Sequence, residues 1–232
     1  MKKMIIASTS TIHGSGYLEY LLDNMDKLFE NIEEVLFIPY ARPSGITHDE
    51  YTDLVEKAVV PLGICIKGIH EFSDPVKAIK EAKGIFTGGG NTFLLVQQLW
   101  ENGLMHTLKE VVENGTPYLG TSAGSNITGP NMKTTNDMPI VYPSSYDCTG
   151  LVPFNINAHY LDPDPNSKHK GETRETRIKE FHTYNEQKVI GLREGSWLEV
   201  AGDKIQLKGP YTARIFSPNS QPYELETNSF IE

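Results

Sequence analysis

A serine with a glycine two positions away on either side is the first feature of this chain suited to covalent chemistry. Gly120-Thr121-Ser122-Ala123-Gly124 follows the short apolar segment Pro117-Tyr118-Leu119, and the residues after it can begin a helix. A strand-to-helix turn of this kind lifts the serine hydroxyl clear of a sheet, and the glycines remove Cβ atoms that would clash. The first N–H groups of such a helix have no partner inside it, so they are free to stabilise a developing oxyanion. By itself the pentapeptide equally fits a tight turn with a capping serine. A second glycine-rich segment, Gly88-Gly89-Gly90-Asn91, ends another apolar run. It reads as an oxyanion-hole donor centred on Gly89 and sharing that work with the Ala123 N–H, as a phosphate cradle, or as a structural loop. The phosphate reading is weaker: no Lys-Ser/Thr follows, and Gly14-Ser15-Gly16 lacks the third glycine of a dinucleotide fingerprint.

A serine nucleophile needs a general base, usually a histidine held by a carboxylate. Of the seven histidines, His13, His48, His70, His106, His169 and His182 lie among polar neighbours and read as solvated side chains. His159 differs. It follows Asn155-Ile156-Asn157-Ala158 at the end of an apolar stretch and precedes the proline-stiffened Tyr160-Leu161-Asp162-Pro163-Asp164-Pro165. His159, Asp162 and Asp164 also invite a metal reading, but no second histidine sits at ligand spacing, so no metal is expected. Two carboxylates compete to orient the histidine. Asp137 lies in the loop Thr134-Thr135-Asn136-Asp137-Met138-Pro139. Glu194 ends a predicted strand beside Gly195, where it also reads as a turn residue paired with Arg193. On the residues alone both stay open. For substrate contact, Arg174 and Arg177 share one face of a predicted helix and read as a carboxylate grip or as a solvated, salt-bridged surface with Glu172 and Glu175. Asn91 is a further candidate contact.

These side chains need a scaffold. Met4–Ser8, Glu34–Pro39, Ile64–Ile69, Gly84–Thr87 and Tyr118–Thr121 are apolar runs that read as buried strands. Between them, Leu18–Phe29, His48–Val60, Pro75–Ala82, Phe93–Leu99 and Leu104–Val112 carry apolar residues at helical spacing, with Tyr51, Leu54, Val55 and Ala58 on one side of the second. Such alternation predicts a doubly wound α/β sheet, and sheets of that kind do their chemistry at the carboxyl ends of the strands. Both glycine-bearing segments fall there. Beyond Ile127, Pro130, Pro139, Pro143, Pro153, Pro163 and Pro165 punctuate loops. A helix over Glu172–Tyr184 follows, then strands over Lys188–Leu192, Trp197–Lys208 (turning at Gly202-Asp203), Thr212–Phe216 and Tyr223–Leu225, the last two late and at the edge. A single domain over residues 1–232 with a strand-rich C-terminal part is expected, and the length supports one substantial core.

Composition narrows the function classes. A net charge of -9 opposes nucleic acid and anionic membrane as partners, and no apolar run approaches a membrane span. Two lysines precede the apolar residues Met4–Ala7, but that run stops at Ser8-Thr9-Ser10, too short for a signal peptide. Cys65 and Cys148 form no CxxC pair, which fits reduced thiols and a cytoplasmic setting.

Taken together, Gly88–Phe93, Gly120–Gly124, Thr135–Ile140, Phe154–Pro165, Gly171–Arg174 and Gly191–Trp197 closely resemble peptidase E, a family of α-aspartyl dipeptidases related to cyanophycinase. The match runs through most of the chain in order, and Asn-Ala-His-Tyr-Leu-Asp-Pro-Asp-Pro is its most specific segment. The resemblance implies Ser122 as nucleophile and His159 as base, with Glu194 as third member. Asp137 falls where the family has an aspartate also proposed for that role. It further implies a class I glutamine-amidotransferase-like (flavodoxin-like) three-layer sandwich with a mostly parallel central sheet. The implied activity is hydrolysis of dipeptides with a free N-terminal L-aspartate without a metal; small dipeptides as partners, no cofactor, and a monomer or homodimer are expected. Family members often carry Trp before the serine, where this chain has Thr121. The competing functions are a cyanophycinase-like β-aspartyl peptidase and a non-catalytic ligand-binding module on the same scaffold.

Overall fold

A computed structural model describes residues 1–164, 166, 168 and 170–231. The expectations for Pro165 as a loop proline and His169 as a solvated side chain lie outside the described residues. In chain order the elements are β1 (Lys3–Ala7), α1 (Leu22–Leu28), β2 (Glu34–Ile38), α2 (His48–Val59), β3 (Cys65–Gly68), α3 (Pro75–Glu81), β4 (Ile85–Thr87), α4 (Thr92–Glu101), α5 (Leu104–Glu113), β5 (Tyr118–Thr121) and α6 (Ala123–Asn126). They continue with β6 (Asn155–Ala158), α7 (Arg174–Phe181), β7 (Val189–Leu192), β8 (Trp197–Ala201), β9 (Lys204–Lys208), β10 (Ala213–Phe216) and β11 (Tyr223–Leu225).

The larger sheet runs β3-β2-β4-β5-β1-β8-β9. Its first five strands are parallel, and the β8–β9 hairpin is added antiparallel beside β1. Strands β1, β2, β4 and β5 are buried along nearly their whole length because both faces are covered, whereas β3, β8 and β9 alternate. Met4 and Ile6 face α3, α4 and α5 through Ile79, Leu95, Leu99 and Leu108, while Ile5 and Ala7 face α1 and α2 through Met25, Tyr51 and Val55. On α2 the inward stripe is Tyr51, Thr52, Val55 and Val59. Leu54, expected on that side, is exposed because its position turns away from the sheet. Thr47 caps α2 by accepting from the Glu50 N–H, and Glu50 returns a bond to the Thr47 N–H.

The strand-rich part is a second sheet, ordered β11-β10-β7-β6, in which β6 and β7 are parallel and the other pairs antiparallel. Thr212–Phe216 therefore contains an interior strand, and only β11 and β6 are edges. One face of this sheet, with Ile156, Ala158, Ile190 and Leu192, joins the main core. The other, with Val189 and Phe216, packs beneath Ile178 and Phe181 of α7. The three-layer arrangement expected of the first half is present, with this smaller sheet appended to it. Among the described residues no helix is long and apolar enough to cross a membrane.

β6 is not evident from periodicity, since half of it is asparagine, a residue depleted in strands. Burial of those amides is balanced by hydrogen bonds. Asn155 Nδ2 donates to Asn131 Oδ1 at 2.9 Å, and Asn157 Nδ2 donates to the Thr134 carbonyl at 2.7 Å. These bonds fasten the long segment after α6 across β6 and fix where that strand ends.

Candidate active site

Ser122 occupies the turn between β5 and α6 with φ 52° and ψ −108°, a left-handed conformation that costs a non-glycine residue free energy. The surroundings enforce it. Its N–H donates to the Ala7 carbonyl at 3.1 Å, and its own carbonyl accepts from the N–H groups of Ser125 and Asn126 at 2.9 Å each. A Cβ on Gly120 would overlap the Gly124 carbonyl, and one on Gly124 would overlap the Thr87 carbonyl. Both flanking glycines are therefore required by close backbone approach rather than by φ.

The glycine triplet lies against this turn. A Cβ on Gly89 would stand 3.1 Å from Ser122 Cβ and 3.7 Å from Ser122 Oγ. Gly89 is fixed from behind by Tyr51, whose hydroxyl donates to the Gly89 carbonyl at 3.1 Å. Gly90 has φ 146°, and the Asn91 N–H donates to the Ala41 carbonyl at 2.7 Å, which holds the loop down on the end of β2. Among the described residues, the N–H groups of Gly89 and Ala123 have no acceptor. Two unpartnered donors beside one hydroxyl form an arrangement able to hold an oxyanion.

His159 follows β6 directly and reaches Ser122 from the second sheet. Its Nε2 lies 2.7 Å from Ser122 Oγ, and its Nδ1 lies 2.6 Å from Glu194 Oε1. With the Nδ1 proton given to Glu194, Nε2 is left as an acceptor for the serine hydroxyl. His159 also has a positive φ, 54°. Its N–H donates to Ser8 Oγ at 2.9 Å, and Ser8 Oγ donates to the Leu192 carbonyl at 2.7 Å. A single hydroxyl at the end of β1 thus ties the histidine to the larger sheet and β7 to both. Nothing in the sequence pattern marks Ser8 for this task, because it is a contact between residues 151 positions apart.

Glu194 is free for His159 because its neighbour pairs elsewhere. Arg193 grips Asp162 through Nε at 2.9 Å and Nη2 at 2.7 Å, and its Nη1 donates to Glu224 Oε2 at 2.9 Å and the Thr212 carbonyl at 2.8 Å. Bonds to Asp162 first and Glu224 second make this guanidinium harder still to deprotonate. The Arg193–Glu194 pairing considered as a turn is absent for that reason. Asp162 is consumed by Arg193, and Asp164 accepts the Asn166 N–H at 2.8 Å. The ion chain continues from Glu224 to Arg214, from Arg214 to Glu175 at 3.4 Å, and from Glu175 to Lys179 at 2.7 Å. It links the loop after His159 to α7.

Asp137 sits at the start of α4. Its Oδ2 accepts from the Thr92 N–H at 2.7 Å and from Thr135 Oγ1 at 3.0 Å, and no bond joins it to His159. Asn91 caps the same helix: Oδ1 accepts from the Leu94 N–H at 3.1 Å, and Nδ2 donates to the Met138 carbonyl at 2.9 Å. Arg174 and Arg177 line a pocket of about 510 Å³ with Asn136, Asp162 and Gly171. Arg177 is exposed and 3.9 Å from Glu172. Arg174 is half-buried without an ion-pair partner among the described residues. Burial and then Arg177 push its pKa down, opposed by the charges of Asp137 and Glu194, which places its head within their field. His70 and His182 are engaged rather than simply solvated, while His106 is exposed. His70 pairs with Asp49 at 2.7 Å, His182 Nε2 lies 2.9 Å from the Gln187 carbonyl, and His106 packs edge-on to Trp100.

Comparison with known proteins agrees with this geometry. Residues 4–208 match Peptidase family S51. A Streptomyces coelicolor protein named "Peptidase E" is 48% identical over 226 residues, 97% of this chain and 92% of that protein. A Drosophila melanogaster protein named "Probable alpha-aspartyl dipeptidase" is 44% identical over 227 residues, 97% of this chain and 93% of its own. Among solved structures, a peptidase from an acI-B1 Actinobacterium superposes with a TM-score of 0.75 at 18% identity, covering 100% of this chain and 96% of that one, which speaks for the fold. With a strained serine, two unpartnered N–H donors and a histidine–carboxylate pair at bonding distance, and with these relatives across nearly its whole length, the chain belongs to peptidase family S51.

Proposed function

We propose that the chain, acting as one unit over residues 1–232, is a serine dipeptidase that hydrolyses dipeptides bearing a free N-terminal L-aspartate. The observation that carries this reading is the continuous contact from Ser122 Oγ to His159 Nε2 and from His159 Nδ1 to Glu194, at 2.7 and 2.6 Å. Ser122 attacks the aspartyl carbonyl while His159 takes its proton, and Glu194 stabilises the imidazolium that forms. The N–H groups of Gly89 and Ala123 hold the oxyanion; one such donor typically lowers the barrier by about 3 kcal/mol. His159 then returns the proton to the leaving amine, leaving an acyl-enzyme. Water, deprotonated by His159, attacks the ester, releases aspartate and restores Ser122.

Arg174 is the residue we assign to the aspartate β-carboxylate. It is half-buried, has no carboxylate partner among the described residues, and opens into the pocket beside His159's loop. Arg177, exposed and near Glu172, is a weaker candidate, and the Asn91 side chain is already committed to Leu94 and Met138. The name of the fly relative favours α- over β-aspartyl linkages. Cys65 and Cys148 are unjoined, which suits a cytoplasmic enzyme. The test is a panel of X-Leu dipeptides together with β-Asp-Arg. Asp-Leu should be cut and Asn-Leu spared, with the preference weakened in Arg174→Gln. Cleavage of β-Asp-Arg in place of Asp-Leu would move the enzyme to the β-aspartyl class.

A further inference from the structure

Five arginines occur in the chain. Arg193 and Arg214 are held in the ion chain, and Arg177 lies near Glu172. Arg42 and Arg174 alone have no carboxylate partner among the described residues. They belong to different neighbourhoods: Arg174 lies in the field of Asp137 and Glu194, whereas Arg42 follows Ala41, whose carbonyl holds the end of the glycine triplet.

Arg42 follows β2 at its carboxyl end, on Pro39-Tyr40-Ala41-Arg42. Its guanidinium lies over the Tyr51 ring, 4.8 Å from the centroid, and its Nε is buried with no acceptor. Tyr51 is the residue whose hydroxyl holds the Gly89 carbonyl, and the Ala41 carbonyl accepts the Asn91 N–H. Both the backbone and the stacking partner of Arg42 are thus fastened to the loop that supplies an oxyanion donor. Stacking covers the face of the group and Nε is buried, but no acceptor among the described residues meets the Nη groups, which leaves that edge for a carboxylate.

We propose that Arg42 binds the C-terminal carboxylate of the dipeptide, so that the free end of the leaving residue is part of what the site recognises. This rests on the dipeptidase reading above. An Asp-X dipeptide carries two carboxylates, and the site offers two unpaired arginines. The β-carboxylate belongs to the acyl part of the substrate. The terminal carboxylate lies only three bonds beyond the scissile carbonyl carbon, on the leaving side, within about 4 Å of it. An anion so close to the reacting carbon requires its cation next to the oxyanion loop, where Arg42 is. A longer peptide would place a neutral amide there and leave the guanidinium unpaired, which restricts cleavage to dipeptides.

The test compares kcat/KM for Asp-Leu and for Asp-Leu-amide, which lacks the terminal charge, in the wild-type protein, Arg42→Gln and Arg42→Lys. A charged, bidentate contact corresponds to a preference of roughly 30-fold for the free acid. That ratio should collapse toward one in Arg42→Gln and take an intermediate value in Arg42→Lys. Turnover of the amide reports in each variant that the Ser122 machinery is assembled. A wild-type ratio near one, a ratio unaltered in Arg42→Gln, or equal loss of both peptides in the two variants overturns the assignment while the dipeptidase reading stands. If the wild-type protein cuts neither peptide, the dipeptidase reading itself falls and takes Arg42 with it.

Discussion

The two sides of the site are held by opposite means. On the parallel sheet, Ser122 is positioned by backbone contacts so close that glycine is obligatory at Gly120 and Gly124, between apolar cores on both faces. On the smaller sheet, His159 and Glu194 are positioned by side-chain hydrogen bonds and by a partly exposed chain of charges through Arg193. Steric confinement is insensitive to salt and tolerates no added atom, whereas an exposed ion network is adjustable and screened. The serine is locked and the histidine is tethered.

The largest effect expected from breaking the first side is Ser122→Ala, which should lower kcat on Asp-Leu by at least about 10⁴-fold with the thermal melt retained. On the second side, Glu194→Gln should cost roughly 10²- to 10⁴-fold in kcat. Asp137→Asn should instead weaken the start of α4 by about 1 kcal/mol, moving Tm more than kcat. The reverse ranking would give Asp137 the orienting role. Gly124→Ala should destabilise the fold by about 3 kcal/mol, equally at low and high salt, in chemical denaturation. Arg193→Gln should lower kcat about 10-fold through a loosened His159, and the gap to wild type should narrow as salt is added.

The smallest effect is on acid stability. Glu175 is held below the ordinary glutamate value of 4.5 by Lys179 above all. Glu224 is also held below it: burial pushes the carboxyl up, but hydrogen bonds from Arg193 and Thr212 outweigh that. A carboxylate with a depressed folded pKa binds fewer protons than in the unfolded chain. Its contribution is therefore complete above pH 4.5 and is lost as pH falls through the lower folded value. Glu224→Gln should flatten the acid slope of the melt by less than about 1 kcal/mol, because the group is partly exposed.

Strands β1, β2 and β4 were legible because a parallel strand covered on both faces announces itself as an apolar run, and the edge strand β3 by its place in the alternation. Ser122 and Gly89 were legible because close backbone approach demands glycines, and glycines are visible. The tethered side was harder. β6 hides two asparagines whose partners, Asn131 and Thr134, are remote in sequence. The choice between Glu194 and Asp137 depends on where Arg193 and the N-terminus of α4 find their own partners. Arg42 carried no local signal at all. Its significance lies in a stacking contact with Tyr51 and in the absence of a carboxylate partner among the described residues, neither of which a linear pattern records.

Ala7 and Ser8 are consecutive, and they serve different masters: the Ala7 carbonyl receives the Ser122 N–H, and the Ser8 hydroxyl receives that of His159. The spacing between Ser122 and His159 is thereby anchored to one covalent peptide unit, about 3.8 Å long, instead of to the gap between two sheets. Breathing of one sheet against the other cannot part them without first tearing a bond from that strand.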